Sequence, residues 1–191
     1  MRITGKISEG CQLLLGDKSP ETRGKRRNRA SLGVLARIGL LAAAYALLTV
    51  VPPFSSISYG PIQVRLAEAL TVLAYLFPWA KWGLYFGCIL ANLGSPFLIW
   101  DITLGAFATL FAAWLSQRMP RPYLAPLPPV LVNAIVVSAY VAPLSGVPYW
   151  PVVLYIALGE AVACYGLGYP LLLAVSNNEK LLEVLRGRDS A

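Results

Sequence analysis

Long stretches without a charged residue constrain this chain more than any other feature of its sequence. One such stretch runs from Pro122 to Gly159, and another runs from Trp82 to Trp100. Hydrophobic residues make up 57% of the 191 positions, and charged residues make up only 13%. A soluble domain of this size cannot bury so large an apolar fraction without leaving aggregating patches on its surface. The composition therefore predicts an integral membrane protein.

Six apolar segments are candidates for membrane-spanning helices, each of which needs about 20 mostly apolar residues. They are about Ser31–Val51, Ile62–Phe77, Lys81–Leu98, Asp101–Gln117, Ala125–Leu144 and Trp150–Val175. Helix-breaking prolines and a Ser-Gly pair fall between them. The sequence thus predicts an all-α integral membrane protein, a bundle of six transmembrane helices over residues 30–178. A polar, basic, disordered extension over residues 1–29 precedes the bundle, and a tail over residues 179–191 follows it.

Loops with basic residues and loops without them alternate along this six-helix arrangement. The segment before the first span contains RGKRRNR, and Lys81, Arg118 and Arg121 fall in loops on the same side. The three opposite loops contain no Lys or Arg. Because positive residues concentrate on the cytoplasmic side, both termini are predicted to be cytoplasmic. We expect a multi-pass protein of a prokaryotic plasma membrane.

Several kinds of chemistry have no support in the sequence. The chain has no histidine, no GxxxxGK[ST] phosphate-binding loop and no GxSxG nucleophile motif. Its three cysteines, Cys11, Cys88 and Cys164, are scattered without metal-ligand spacing, and we interpret them as small apolar fillers. The sequence therefore predicts neither catalysis nor a bound metal or cofactor.

Arg65 and Glu68 lie three residues apart near the outer end of the second span, on one helical face. One interpretation is that they neutralise each other. The alternative is that they line a site in which Arg65 fixes Glu68, so that the carboxylate accepts hydrogen bonds from a ligand.

Other polar residues lie at membrane depth, where ionisable groups usually face a bundle interior or a cavity. Glu160 is the only charged residue between Pro122 and Asn178 and is therefore a candidate binding residue. Asp101 is either a second ligand-binding acid or a carboxylate favoured by a helix N-terminus. Amides both donate and accept hydrogen bonds, in a ligand site or between helices. The amide candidates are Gln63, Asn92 and Asn133.

The first span contains small residues at helical spacing. Ala42 and Ala46 lie four residues apart, and Gly39 and Ala43 form a neighbouring pair. Small residues allow another helix to approach closely. They serve either packing within the chain or docking of a separate membrane subunit.

Four blocks carry a resemblance to a known family: YGPIQVRLAEAL, GCILANL, LPPVLVNA and ALGEAVACYGLGYPLLL. From about Leu32 to Val175 the chain resembles the queuosine-precursor family of substrate-binding (S) components of energy-coupling factor transporters. The polar extension before Arg29 departs from this resemblance.

The resemblance implies a six-helix S component that binds its substrate from outside and is not itself an enzyme. Its implied partners are a transmembrane coupling subunit, docked at Ala42 and Ala46 with Gly39 and Ala43 as neighbouring residues, and two cytoplasmic ATPases. The implied ligand is a 7-deazaguanine, such as the 7-cyano or 7-aminomethyl form, or queuine. A guanine edge offers adjacent N–H donors that a carboxylate such as Glu68 or Glu160 accepts in pairs.

Two rival interpretations remain. The chain is an S component for another vitamin or nucleobase, since a shared architecture does not fix the ligand. Alternatively, it is a membrane-embedded enzyme or assembly factor that transports nothing.

Overall fold

The computed structural model describes residues 20–51 and 65–187, with backbone alone for 20–30. The chain divides into a short N-terminal unit that ends at Gly33 and a compact main unit that starts at Val34. All regular structure in the described ranges is helical, which confirms the predicted all-α class.

Seven helices and one short 3₁₀ segment, Asn92–Gly94, make up the regular structure of the described residues. Their bounds are α1, Pro20–Val50; α2, Leu66–Leu76; α3, Ala80–Ala91; α4, Leu98–Ser116; α5, Pro122–Ser145; α6, Tyr149–Ser176; and α7, Glu179–Arg186. Helix α5 is interrupted after its first turn, Pro122–Leu124, and resumes at Leu127. Within the described ranges, four helices are long and apolar enough to cross a membrane: α1, α4, α5 and α6. The second and third predicted spans contain the shorter helices α2 and α3.

Helix α1 begins before the predicted first span. It starts at Pro20, so residues 20–29 of the predicted disordered extension are helical. Proline is favoured at the first helical position, and a helix that is already nucleated extends at low cost. Residues 1–19 lie outside the described part of the chain.

Glycines let neighbouring helices approach closely inside the main unit. A Cβ on Gly87 of α3 would lie 2.7 Å from the Tyr45 Cβ and 3.0 Å from the Ala42 carbonyl oxygen. A Cβ on Gly168 of α6 would lie 2.9 Å from the Ala69 carbonyl oxygen of α2. These two contacts bring α1 against α3 and α2 against α6, the arrangement that positions the polar residues described next.

Two of the long helices contain a π-helical segment. In α4 the segment is Asp101–Gly105, and in α6 it is Val162–Gly168. Such segments are rare and are frequent at functional sites. The first begins at a predicted site residue, and the second begins two residues after another, Glu160.

Candidate functional site

The predicted polar residues that the structure describes are all buried, none of them more than 8% exposed. They are Arg65, Glu68, Asn92, Asp101, Asn133 and Glu160. Gln63 lies outside the described residues. Four helices, the residue just before α2 and the residue just after α3 supply these side chains, so the buried polar groups come from distant parts of the sequence.

Glu68 accepts a hydrogen bond from a residue of the first helix, α1. The Tyr45 hydroxyl of α1 donates a hydrogen bond to Glu68 Oε1, and both side chains are buried. The other carboxylate oxygen, Oε2, has no hydrogen-bond partner among the described residues. One half of the carboxylate is therefore fixed, while the other half is free to accept.

Arg65 forms its ion pair with a different helix. Its Nη2 lies 3.8 Å from Asp101 Oδ1 on α4. Asp101 also accepts hydrogen bonds from the Tyr140 hydroxyl and from the Ser95 hydroxyl. Both Asp101 oxygens are thus engaged by the protein, and Asp101 acts mainly as the anchor of Arg65.

Glu160 is bound by neutral partners. Asn133 Nδ2 of α5 donates to Glu160 Oε1 at 3.0 Å. The Cys164 thiol, one turn later on α6, lies 3.7 Å from Glu160 Oε2 and 3.5 Å from the Glu68 carbonyl oxygen. This thiol links the backbone of α2 to the carboxylate of α6.

A cavity lies among these groups. Its lining residues are Arg65, Glu68, Gly105, Thr109, Asn133, Val137, Ile156 and Glu160. About 10 Å³ is open to the centre of a water molecule, which is room for about one water. The cavity is therefore closed around its polar groups and too small for a purine-sized base.

Three buried polar atoms of the lining residues lack a hydrogen-bond partner in the described ranges. They are the acceptors Glu68 Oε2 and Asn133 Oδ1 and the donor Arg65 Nε. Buried polar groups are nearly always hydrogen-bonded, and leaving one unpaired costs roughly 1–3 kcal/mol. The cavity therefore offers two acceptors and one donor to a complementary molecule.

Two predicted site residues do not line the cavity. Asp101 forms the ion pair with Arg65 described above. Asn92, at the end of α3, donates from Nδ2 to the Cys88 sulfur at 3.3 Å. Since neither residue lines the cavity, we expect any effect they have on a ligand to be indirect.

Sequence reasoning missed the hydroxyl and thiol partners of the carboxylates. Tyr45, Tyr140 and Cys164 each contact a buried acid. The spacing of Cys164, four residues after Glu160, was a usable signal for that pair. Nothing in the sequence associates Tyr45 with Glu68 or Tyr140 with Asp101, because these contacts depend on helix packing.

The two predicted docking residues differ in their surroundings. Ala42 is buried, 5% exposed, and its backbone meets Gly87 of the same chain. Ala46 is partly buried and packs against the hydrophobic core. On the outer face of α1, Gly39 and Ala43 are exposed, and a Cβ on Gly39 would meet nothing within 4 Å. Gly39 and Ala43 are therefore an exposed pair of small residues on this helix.

Comparison with known proteins gives two matches. A family model described as QueT transporter matches residues 35–177. The queuosine precursor transporter QueT of Lactococcus lactis subsp. cremoris (strain MG1363) is 37% identical over 76 residues, which are 40% of this chain and 44% of that relative. The alignment thus spans less than half of the relative's length. No solved structure matches the chain.

Proposed function

The chain belongs to the QueT transporter family, and from this premise we propose that it is the substrate-binding component of an energy-coupling factor importer. It is a multi-pass membrane protein, with four helices long and apolar enough to span a bilayer among its described residues. Its proposed substrate is a queuosine precursor, a 7-deazaguanine base taken up from outside the cell.

The observation that carries this proposal is the set of unpaired atoms around the cavity. Glu68 Oε2 and Asn133 Oδ1 are free acceptors, and Arg65 Nε is a free donor. The edge of a guanine-type base presents two adjacent donors, N1–H and N2–H, beside one acceptor, O6. We propose that Glu68 and Asn133 accept from the two donors and that Arg65 donates to O6.

The buried charged residues favour one chemical form of the ligand over another. Three buried carboxyl groups, those of Glu68, Asp101 and Glu160, surround one guanidinium, that of Arg65. Buried charges are costly unless they are paired. A ligand with a positive group compensates this excess, which favours the 7-aminomethyl form over the neutral 7-cyano form, with Glu160 as the acid nearest to the ammonium.

Binding requires the cavity to expand. A space that holds one water molecule must widen before a two-ring base enters. We propose that the described conformation is the narrow member of an equilibrium, and that the base stabilises a wider one. The expansion separates residues of α2, α5 and α6, which supply the polar lining.

Energy for transport is proposed to come from partner proteins: a transmembrane coupling subunit and two cytoplasmic ATPases. We propose that the coupling subunit docks on the exposed face of α1 at Gly39 and Ala43. The pair that the resemblance implies, Ala42 and Ala46, lies on the adjoining face and faces the chain's own core. Their part in docking is therefore proposed to be indirect, through the packing of α1.

The test is an equilibrium titration of the purified protein with a ligand panel. We expect binding of 7-aminomethyl- and 7-cyano-7-deazaguanine and no binding of thiamine or riboflavin. Binding of a vitamin instead of the deazaguanines would identify an S component for another substrate. Turnover of any panel member by the isolated chain would favour the membrane-enzyme alternative.

A further inference from the structure

A second cavity lies on the outer surface of α3 and α4, away from the closed cavity. Its volume is about 370 Å³, and it is open to the surroundings. We call it the aromatic groove; its lining residues are Lys81, Trp82, Phe107, Leu110, Phe111 and Trp114. It shares no lining residue with the closed cavity, so the two are separate cavities.

The body of the aromatic groove is apolar. Phe107 and Phe111 are 59% and 52% exposed, and both lie on α4, a helix long enough to cross the membrane. In a bilayer, apolar rings that are exposed on a membrane-spanning helix contact hydrocarbon chains. The groove therefore accommodates an acyl chain better than a polar ligand.

Two cations lie against tryptophans that line the aromatic groove: Lys81, which also lines it, and Arg118, which does not. The Lys81 ammonium lies 5.9 Å from the ring centroid of Trp82. The Arg118 guanidinium lies 3.5 Å from the ring centroid of Trp114. Among the described residues neither cation forms an ion pair, and no acidic residue lines the groove. The part of the groove next to Lys81 and Arg118 is therefore complementary to a negatively charged group.

We propose that the aromatic groove binds an anionic phospholipid. One acyl chain lies along Phe107 and Phe111, and the phosphate lies between Lys81 and Arg118. Basic residues near a membrane surface attract anionic lipids, whereas the apolar rings alone do not distinguish one headgroup from another. The combination gives a site selective for headgroup charge at one place on the bundle.

Native mass spectrometry of the purified protein tests this proposal, with equal amounts of phosphatidylglycerol and phosphatidylcholine of identical acyl chains. We expect the wild type to retain one phosphatidylglycerol in about tenfold preference. The double variant Lys81→Gln, Arg118→Gln loses this preference, and Lys81→Arg with Arg118→Lys keeps it. Lys180→Gln, which removes a cation from α7 outside the groove, is the matched control and keeps the preference.

Three results would overturn the proposal. The first is equal retention of the two lipids by the wild type. The second is a phosphatidylglycerol preference that survives in the double glutamine variant or disappears in the Lys180→Gln control. Either result would assign the preference to diffuse surface charge. The third is a Phe111→Ala variant with unchanged lipid retention, since the acyl chain then lies elsewhere. The gel-filtration profile of each variant shows whether it remains folded.

Discussion

At the level of single residues, the candidate site consists of acids held by neutral donors. Glu68 takes a hydrogen bond from Tyr45, and Glu160 takes one from Asn133. The single guanidinium, that of Arg65, forms its ion pair with Asp101. Glu68 and Glu160 are therefore without a direct cation partner in the described ranges. We propose different roles for them: the unpaired oxygen of Glu68 accepts from the guanine edge, whereas Glu160 supplies negative charge.

This division of roles predicts different effects of two isosteric variants. Glu68→Gln should weaken both the 7-aminomethyl and the 7-cyano ligand by about 10- to 100-fold, because it removes a hydrogen bond to a charged acceptor. Glu160→Gln should weaken the cationic ligand more than the neutral one. Calorimetric titration of both ligands measures the two ratios.

The matched control for this experiment is Glu179→Gln, which removes an exposed acid from α7. It should leave both affinities unchanged. Normal binding by both site variants, or an unchanged ligand ratio in Glu160→Gln, would show that these carboxylates do not contact the base.

At the level of helices, local departures from the α-helix place the site residues. The first part of α2, Leu66–Val72, is a 3₁₀ helix. Side chains three residues apart lie directly above each other in this geometry, so Glu68 and Thr71 share one side. The π segments of α4 and α6 lie next to Asp101 and Glu160. Helix α1, on which we propose that a partner docks, is by contrast an uninterrupted α-helix, and two of its exposed residues are Gly39 and Ala43.

That outward face gives a prediction for docking. Gly39→Leu with Ala43→Trp should abolish co-purification with the coupling subunit, because large side chains prevent close helix approach. Ligand binding should be unaffected, since neither position has a described role in the cavity. Affinity capture of the assembled complex measures the first effect, and titration measures the second.

Ala139→Trp is the control, at an exposed alanine of α5, and should leave the complex intact. Ala42→Trp is not suitable for this test because Ala42 is packed against Gly87, and overpacking there destabilises the chain itself. A complex that survives the Gly39 and Ala43 substitutions would place the docking surface elsewhere.

At the level of the whole molecule, the number of membrane crossings determines which side of the membrane each loop faces. Six crossings and four crossings both leave the termini on one side. They differ at the turn between α2 and α3, which reaches the cytoplasm only if these short helices span the membrane. Pro78 is exposed in this turn.

We therefore predict the labelling of single cysteines in a background without native cysteines. Pro78→Cys should react with a membrane-impermeant maleimide in inside-out vesicles only. Val147→Cys, exposed between α5 and α6, should react only from the opposite side. Reaction of Pro78→Cys from the same side as Val147→Cys, or from neither side, would indicate four crossings with α2 and α3 as a re-entrant pair.

Sequence reasoning reached the helical class and four residues of the cavity lining. Arg65, Glu68, Asn133 and Glu160 were recognisable because each is costly inside a membrane. The ion pair of Arg65 with Asp101 could not be predicted from the sequence. Glu68 is closer to Arg65 along the chain, and the contact with Asp101 depends on tertiary packing. The π segments were also inaccessible, because glycine-containing stretches such as VACYGLG do not encode a unique helix register.

The account depends on a base being bound among the buried acids, and the most direct test is an experimental structure of the chain with 7-aminomethyl-7-deazaguanine. The predicted result is a widened cavity with the base edge against Glu68, Asn133 and Arg65 and the ammonium near Glu160. A base bound elsewhere, with Glu68 and Glu160 still bonded only to Tyr45, Asn133 and Cys164, would contradict the account.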